Sequence, residues 1–179
     1  MKKLYNQKSK DLLVKKLESE DFNRTTCSFY KYVTIVDPIT FRDKIYEEFD
    51  NLEILGRVYI AEEGMNAQIS VPDKNWGLFL KLISSIKLLY DVDIKTAIND
   101  GISFYKLIVK VKKEIVAYNI PKNKFNMDVV GEHLNTQQFN EAIENSNTTV
   151  IDMRNIYESE VGQFISAEIP QVEKSKDLL

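Results

Sequence analysis

Apolar and polar residues recur with two different periods along the chain, and these periods predict an ordered set of strands and helices. The stretch "SFYKYVTIV", which begins at Ser28, is rich in aromatic and β-branched residues and predicts a central strand. Asp37 and Pro38 then supply a helix N-cap followed by proline at the first helical position. The next segment predicts a helix, because its apolar residues are spaced four apart: Phe41, Ile45 and Phe49.

The pattern continues with two strands, a helix and a long strand. "ILGRVYIA" predicts a second strand, and "NAQISV" alternates cleanly between apolar and polar residues, which predicts a third. Asp73 is a candidate N-cap for a second helix, whose apolar residues have amphipathic spacing: Trp76, Phe79, Leu80, Ile83 and Ile86. "SFYKLIVKVKKEIVAY", from Ser103 to Tyr118, alternates over its length and predicts another strand.

The order strand, helix, strand, strand, helix, strand predicts an α+β fold. It is the split βαβ arrangement of ferredoxin-like domains, in which a four-stranded antiparallel sheet carries two helices on one face. We predict that this domain spans residues 28–121. Residues 1–27 precede it as a basic arm, which we expect to be a frayed or surface-packed helix.

The rest of the chain is predicted to contain a linker and the start of a second domain. "NIPKNKFNMD", from Asn119 to Asp128, is a polar stretch with a proline and three asparagines, and we place the linker at residues 122–130. In residues 131–179, Asn135 and Gln138 resemble a capping box before a short helix, and "TTVIDM" predicts a buried strand over residues 148–153.

Composition and charge narrow the classes of function. A net charge of −3 argues against wholesale wrapping of nucleic acid, although it allows a local basic face. The single cysteine, Cys27, excludes an internal disulfide and a CxxC site, which fits a reducing compartment. The sequence contains neither a signal-peptide core nor an apolar run of about 18 residues, so we expect a cytoplasmic protein. It predicts no metal site, P-loop or Ser-His-Asp triad.

Lysines lie at alternate positions in the predicted last strand. Alternation places Lys106, Lys110 and Lys112 on one face, a positive stripe of the kind that holds a phosphate backbone. The alternative is a solvated sheet face with extended lysine side chains, and the spacing alone favours this alternative.

Three further features have both a chemical and a structural explanation. The loop containing Glu62, Glu63 and Asn66 has the groups for acid–base chemistry, but the sequence alone favours a hairpin turn with a solvated acidic tip. His133 precedes a predicted helix, where histidine is more often a capping or packed residue than a catalyst. Cys27 is expected to be a small apolar residue, because the sequence places no activating group beside it.

A more specific motif lies near the end of the chain. Asp152, Arg154 and Glu158 have the form D-x-R-x-x-x-E, which is followed by Gly162, Phe164, Ala167 and Pro170. This motif is similar to the first strand and helix of rhodanese domains, with departures at Gln163, where most have histidine, and at Glu168. In such a motif the acid and the arginine are an ion-paired scaffold that joins a strand end to the next helix.

Together, five segments resemble the bacterial tRNA uridine 5-hydroxylase family in order and spacing: "FYKYV", "LGRVYIAEEGMNAQISV", "SFYKLIVKVKKEIVA", "GEHL" and "IDMRNIYESEVGQF". The resemblance covers about residues 28–170. It implies a ferredoxin-like domain before a rhodanese domain, and oxygen-dependent 5-hydroxylation of the wobble uridine of tRNA. Molecular oxygen is then a co-substrate, and any further cofactor is unknown. The resemblance also favours tRNA phosphate contacts for the basic residues of this region: Arg57, Lys106, Lys110, Lys112 and Lys113.

One departure from the family concerns the chemistry. Members carry a rhodanese cysteine loop of the type "CTGGIRCEKAS" downstream of the D-x-R motif, and this sequence has none. We therefore expect an incomplete rhodanese-like segment, truncated before the loop, and a chain that is inactive alone. Our hypothesis is that a thiolate adds to C6 of uracil, so that C5 of the resulting enolate attacks an oxygen species.

Two other functions remain open. One is a non-catalytic RNA- or protein-binding module that acts with a separate rhodanese fragment. The other, a sulfurtransferase, is disfavoured because no cysteine loop is present to carry a persulfide.

Overall fold

A computed structural model of the chain describes residues 4–97, 103–115, 124, 126, 129 and 131–172. The chain divides into two compact units, Met1–Ile115 and Val116–Leu179. The first unit consists of α1 (Lys10–Glu18), β1 (Arg24–Tyr32), α2 (Pro38–Asn51), β2 (Leu55–Ala61), β3 (Gly64–Pro72), α3 (Trp76–Ser85), β4 (Lys95–Thr96) and β5 (Leu107–Val111). The predicted α+β fold of the ferredoxin-like type is confirmed.

The strands form one sheet in the order β4-β1-β3-β2-β5. All neighbours are antiparallel except β2 and β5, which are parallel. The prediction of a four-stranded, wholly antiparallel sheet was therefore wrong in its strand count and at one edge. The physical reason for this difference is that β4 occupies the free side of β1, where the Ala97 amide donates to the Thr26 carbonyl. The next strand must then pair at the opposite edge, on β2.

Two predicted strands have different bounds in the structure. β1 begins at Arg24 and ends at Tyr32, whereas the pattern placed it from Ser28, because its whole length pairs with β3. The strand predicted from Ser103 to Tyr118 is only Leu107–Val111, and residues 116–118 lie outside the described residues. The predicted linker, 122–130, also lies largely outside them, so the domain boundaries stay a prediction.

Helix α2 begins as its sequence predicts. The Asp37 carboxylate accepts hydrogen bonds from the Ile39 and Thr40 amides, and proline occupies the first turn. The prediction that Asp73 caps α3 was wrong. Its carboxylate instead accepts a 2.8 Å hydrogen bond from the Thr25 hydroxyl, and a 3₁₀ turn over Asp73–Asn75 precedes the helix.

The hydrophobic core lies between one face of the sheet and helices α2 and α3. Alternate strand residues point into it, and Phe79 of α3 packs with its ring centroid 6.0 Å from that of Phe49 in α2. Of the residues predicted on the apolar face of α3, Leu80 is exposed. The opposite face of the sheet carries the other set of alternating side chains.

The second unit contains α4 (Thr136–Glu144) and α5 (Ile156–Val161). The capping box predicted for Asn135 and Gln138 is present. The buried strand predicted for "TTVIDM" was wrong: Ile151 makes one isolated parallel bridge to Glu168, and its side chain is 54% exposed. Among the described residues of this unit, no adjacent strand is present to bury it. In the part of the chain that the structure describes, no helix has both the length and the apolar character needed to cross a membrane.

Candidate nucleic-acid interface

The sheet face opposite α2 and α3, called the open face below, presents mainly polar and aromatic side chains. Pairing registers order them in two rows across the sheet. The first row has Arg57 between Gln68 of β3 and Ile108 of β5. The second has Tyr59 next to Lys110. Together the two rows comprise Lys95, Ser28, Gln68, Arg57 and Ile108, and Tyr30, Asn66, Tyr59 and Lys110.

Three of the predicted RNA-binding cations lie together on this face. Arg57 and Lys110 project from neighbouring strands, and both are exposed. Lys112 follows β5, and its ammonium lies 5.3 Å from the centroid of the Tyr59 ring. Within the residues that the structure describes, none of the three has an ion-pair partner. Across the described part of the chain, no carboxylate lies within ion-pair distance of these three side chains.

Lys106 lies apart from these cations. It precedes β5, is half-buried, and lines a cavity of about 370 Å³ beside α1. Its ammonium lies 5.5 Å from the centroid of the Tyr105 ring, which Lys10 of α1 also approaches. The predicted lysine stripe is therefore divided into two groups. Lys110 and Lys112 form one group, and Lys106 lies about 13 Å from Lys110 along the strand direction. Lys113 is exposed next to Lys112.

The predicted amino-terminal arm is anchored at the same end of the sheet. The Glu20 and Arg24 side chains form a largely buried ion pair at 2.6 Å, and Arg24 also donates to the Glu53 and Ser70 carbonyls. Leu17 of α1 is buried. These contacts hold α1 against the end of the sheet, where Ser70 is buried.

The loop between β2 and β3 is hydrogen-bonded to neighbouring segments of the chain. The Glu63 carboxylate accepts a 2.7 Å hydrogen bond from the Ile115 amide, which ties the segment after β5 to the loop. The Glu62 and Glu63 carbonyls accept from the amides of Ile35 and Val33. This arrangement agrees with a hairpin turn. Asn66, the other member of the loop motif, belongs to the open face, where its amide oxygen accepts a hydrogen bond from Gln68.

The structure gives no chemical role to Cys27. Its side chain is 2% exposed on the core side of β1, and burial raises the pKa of the thiol to about 12. A thiol with this pKa is protonated near neutral pH and is a poor nucleophile. His133 is exposed before α4. No group of potential metal ligands occurs among the described residues.

The rhodanese-like motif is hydrogen-bonded within itself. The Asp152 carboxylate accepts from the Arg154 guanidinium, at 2.6 Å for the shortest contact, and from the Ser159 hydroxyl at 3.1 Å. Arg154 also donates to the Gly162 carbonyl, while Glu158 completes a capping box with Asn155. The Arg154 hydrogen bonds hold the pKa of the Asp152 carboxyl well below its ordinary value.

Beside this motif is a cavity of about 460 Å³. Phe139 and Phe164 contribute to its lining, with their ring centroids 5.0 Å apart. The Asp152 and Arg154 side chains also line it. Since the Asp152 carboxylate is occupied by Arg154 and Ser159, the geometry suits the scaffold role that the sequence predicts.

Sequence reasoning missed three uncharged members of the open face, Tyr30, Tyr59 and Gln68, and assigned the fourth, Asn66, to the acidic loop. Tyr30, Tyr59, Asn66 and Gln68 all point away from the core, and Tyr30 is 65% exposed. The available signal was the two-residue spacing of polar or tyrosine side chains within each strand. Which of these residues are neighbours depends on how the strands pair. The spacing within a strand does not determine that pairing.

Comparisons with known proteins match both units. The model of the UPF0176 acylphosphatase-like domain matches residues 24–115. The tRNA uridine(34) hydroxylase of Leptospira interrogans is 43% identical over 177 residues, which are 98% of this chain and 48% of the relative. Proteins of the same name from Buchnera aphidicola and Photorhabdus laumondii are 41% and 42% identical, over 92% and 93% of this chain and 53% and 48% of theirs. The chain thus spans about half the length of the curated relatives it matches.

Proposed function

The chain belongs to the family defined by the UPF0176 acylphosphatase-like domain, and on that premise we propose that it binds tRNA for hydroxylation of uridine 34. The supporting observation is 43% identity, across 98% of this chain, to a relative named for that activity. The reaction we propose is oxygen-dependent 5-hydroxylation of the wobble uridine, with molecular oxygen as co-substrate. The function implies a cytoplasmic protein with tRNA as its partner.

The open face is the tRNA-binding surface in this proposal. Among the described residues, no carboxylate pairs with Arg57, Lys110 or Lys112, so their positive charge can attract a phosphate backbone. Lys113 extends this charge beyond β5. Lys106, at the other end of the strand, is a further phosphate contact in the proposal, on the side of α1.

The residues of this chain are assigned to binding and orientation of tRNA. Addition to C6 of uracil needs a thiolate or an equivalent nucleophile. Cys27 does not supply it, because its thiol is buried and has a raised pKa. A cysteine other than Cys27 therefore performs the addition in this proposal, and the hydrogen-bonded Asp152–Arg154 motif belongs to the scaffold of the rhodanese-like domain that carries it.

A second function is favoured by the surface of the second unit. Ile151, Phe164 and Ile165 all expose more than half of their side-chain surface there. Exposed apolar groups in this number suit a partner that covers them. The alternative is therefore a non-catalytic RNA- or protein-binding module that is completed by a separate rhodanese fragment.

Expression in a bacterium that lacks wobble-uridine hydroxylation tests these proposals, with 5-hydroxyuridine in digested tRNA quantified by mass spectrometry. We expect that the chain alone produces no 5-hydroxyuridine and that the Leptospira relative restores it. We also expect the purified chain to bind tRNA. Restoration on co-expression with the part of that relative that this chain does not span would favour the second function. Modification by the chain alone would contradict the assignment of the nucleophile, and failure to bind tRNA would contradict the proposed function.

A further inference from the structure

Two tyrosines and an asparagine form a continuous row on the open face. The registers place Tyr30 of β1 opposite Asn66 of β3, and Asn66 opposite Tyr59 of β2. Lys110 of β5 continues the row beside Tyr59. Since neighbouring strands are about 4.8 Å apart, the two tyrosines stand about 10 Å apart with the amide between them.

The rings are held by neighbours that leave Tyr30 accessible. Tyr32 meets Tyr30 edge-on, at 82° with 6.2 Å between the ring centroids, and Tyr30 is 65% exposed. At the other end of the row, the Lys112 ammonium lies over Tyr59. A flat, exposed ring and a ring paired with a cation are therefore presented on one surface.

The groups around the rings can contact both bases and phosphates. Gln68 donates to the amide oxygen of Asn66, and within the described residues no other side-chain hydrogen bond uses the Asn66 amide nitrogen or the Gln68 amide oxygen, which suit the edges of bases. Arg57 lies in the adjoining row, next to Gln68. No carboxylate occupies a strand position in either row of the open face.

We propose that the open face binds a short single-stranded segment of RNA, with one base stacked on Tyr30 and the next nucleotide at the Tyr59–Lys112 pair. Arg57 and Lys110 contact the phosphates of this segment. The proposal rests on the proposed function and deepens it, because it specifies unpaired nucleotides, as in a loop of tRNA. A duplex offers its phosphates to the cations but keeps its base faces stacked internally, so it cannot use the tyrosines.

The test compares two RNAs of equal length on the full chain. Fluorescence anisotropy measures the Kd of a labelled oligouridylate of about ten nucleotides and of an RNA duplex of that length. The variants are Tyr30→Ala, Tyr30→Phe and, as the matched control, Tyr90→Ala. Tyr90 is 67% exposed but lies in the turn after α3, outside the sheet.

We expect Tyr30→Ala to raise the Kd for single-stranded RNA about fivefold or more, which corresponds to loss of one base–aromatic stack, and to leave duplex binding unchanged. Tyr30→Phe retains the ring and should retain affinity, as should Tyr90→Ala. Equal effects of Tyr30→Ala and Tyr90→Ala on single-stranded RNA would overturn the inference, while salt-dependent tRNA binding would leave the proposed function standing. Failure to bind the oligouridylate, the duplex and tRNA would contradict both the inference and the proposed function.

The alternative occupant of the open face is a second copy of this chain, and the same variants test for it. Sedimentation in the absence of RNA measures self-association of the chain. Dimers that Tyr30→Ala dissociates and that RNA does not would assign the face to a second copy of this chain, and would overturn the proposal.

Discussion

The Lys112 ammonium lies 5.3 Å from the centroid of the Tyr59 ring, while the Lys112 amide donates to the Ile60 carbonyl. Lys112 lies beyond the last residue of β5, yet these contacts hold it against β2. The segment after β5 therefore adds its charge to the open face without lengthening the sheet.

We predict that Lys110→Glu weakens tRNA binding roughly tenfold at 0.1 M salt, because it replaces a phosphate contact by a repulsive charge. The slope of log Kd against log salt should fall by about 1. Lys81→Glu is the matched control, since Lys81 is exposed on α3, in the layer behind the sheet. Filter binding over a salt series measures both variants, and equal effects would exclude the open face as the phosphate-binding surface.

Cys27 should be unreactive in the folded protein. Its thiol is buried and its pKa is raised to about 12, so almost no thiolate is present at pH 8. We expect no reaction with a chromogenic disulfide reagent in buffer and complete reaction in denaturant. Rapid reaction under native conditions would show that β1 opens or that the thiol is activated.

Gly64→Ala should destabilise the first unit by about 2 kcal/mol or more. Gly64 has a φ of +146°, and an added Cβ would lie 2.0 Å from the Lys31 carbonyl oxygen. Gly77→Ala is the control, because Gly77 lies in α3 with no atom within 4 Å of the added carbon. Urea unfolding should show the control unchanged or more stable by about 1 kcal/mol, and equal losses would contradict the close approach at Gly64.

The Asp152 carboxyl should titrate well below the ordinary value of about 3.9, because Arg154 donates to it. A lowered pKa in the folded state stabilises the fold above the ordinary pKa, and this contribution is lost as the pH falls through the lowered value. Carbon-detected NMR of the carboxyl measures the midpoint. Arg154→Gln should raise it, whereas Lys74→Gln, which breaks an ion pair with Glu53 in the first unit, should not change it.

Local signals in the sequence predicted the elements that depend on neighbouring residues. Asp37 with Pro38 marked the start of α2, and the Asn135–Gln138 box marked that of α4, because both caps act within one helical turn. The hairpin of β2 and β3 was predicted from the two strand patterns on either side of Glu62 and Glu63. These features need no knowledge of the rest of the fold.

Features set by distant residues were not predictable in the same way. β4 has only the residues Lys95 and Thr96, too few for a period, and its place beside β1 displaced the last strand to β2. Alternation grouped Lys106 with Lys110, although the strand begins only at Leu107 and Lys106 packs beside Tyr105. For the same reason, Tyr30 and Tyr59 could be identified as neighbours only from the register through Asn66.

The parallel pairing of β2 with β5 also affects the chain while it is being synthesised. β1, β2 and β3 can join once Pro72 has been made, but the outer edge of β2 stays unpaired until Val111 follows. At ordinary rates of translation this interval lasts roughly 2–8 seconds. Lys110 arrives with β5 and Lys112 immediately after it, so the nascent protein acquires its full positive surface only as the sheet closes.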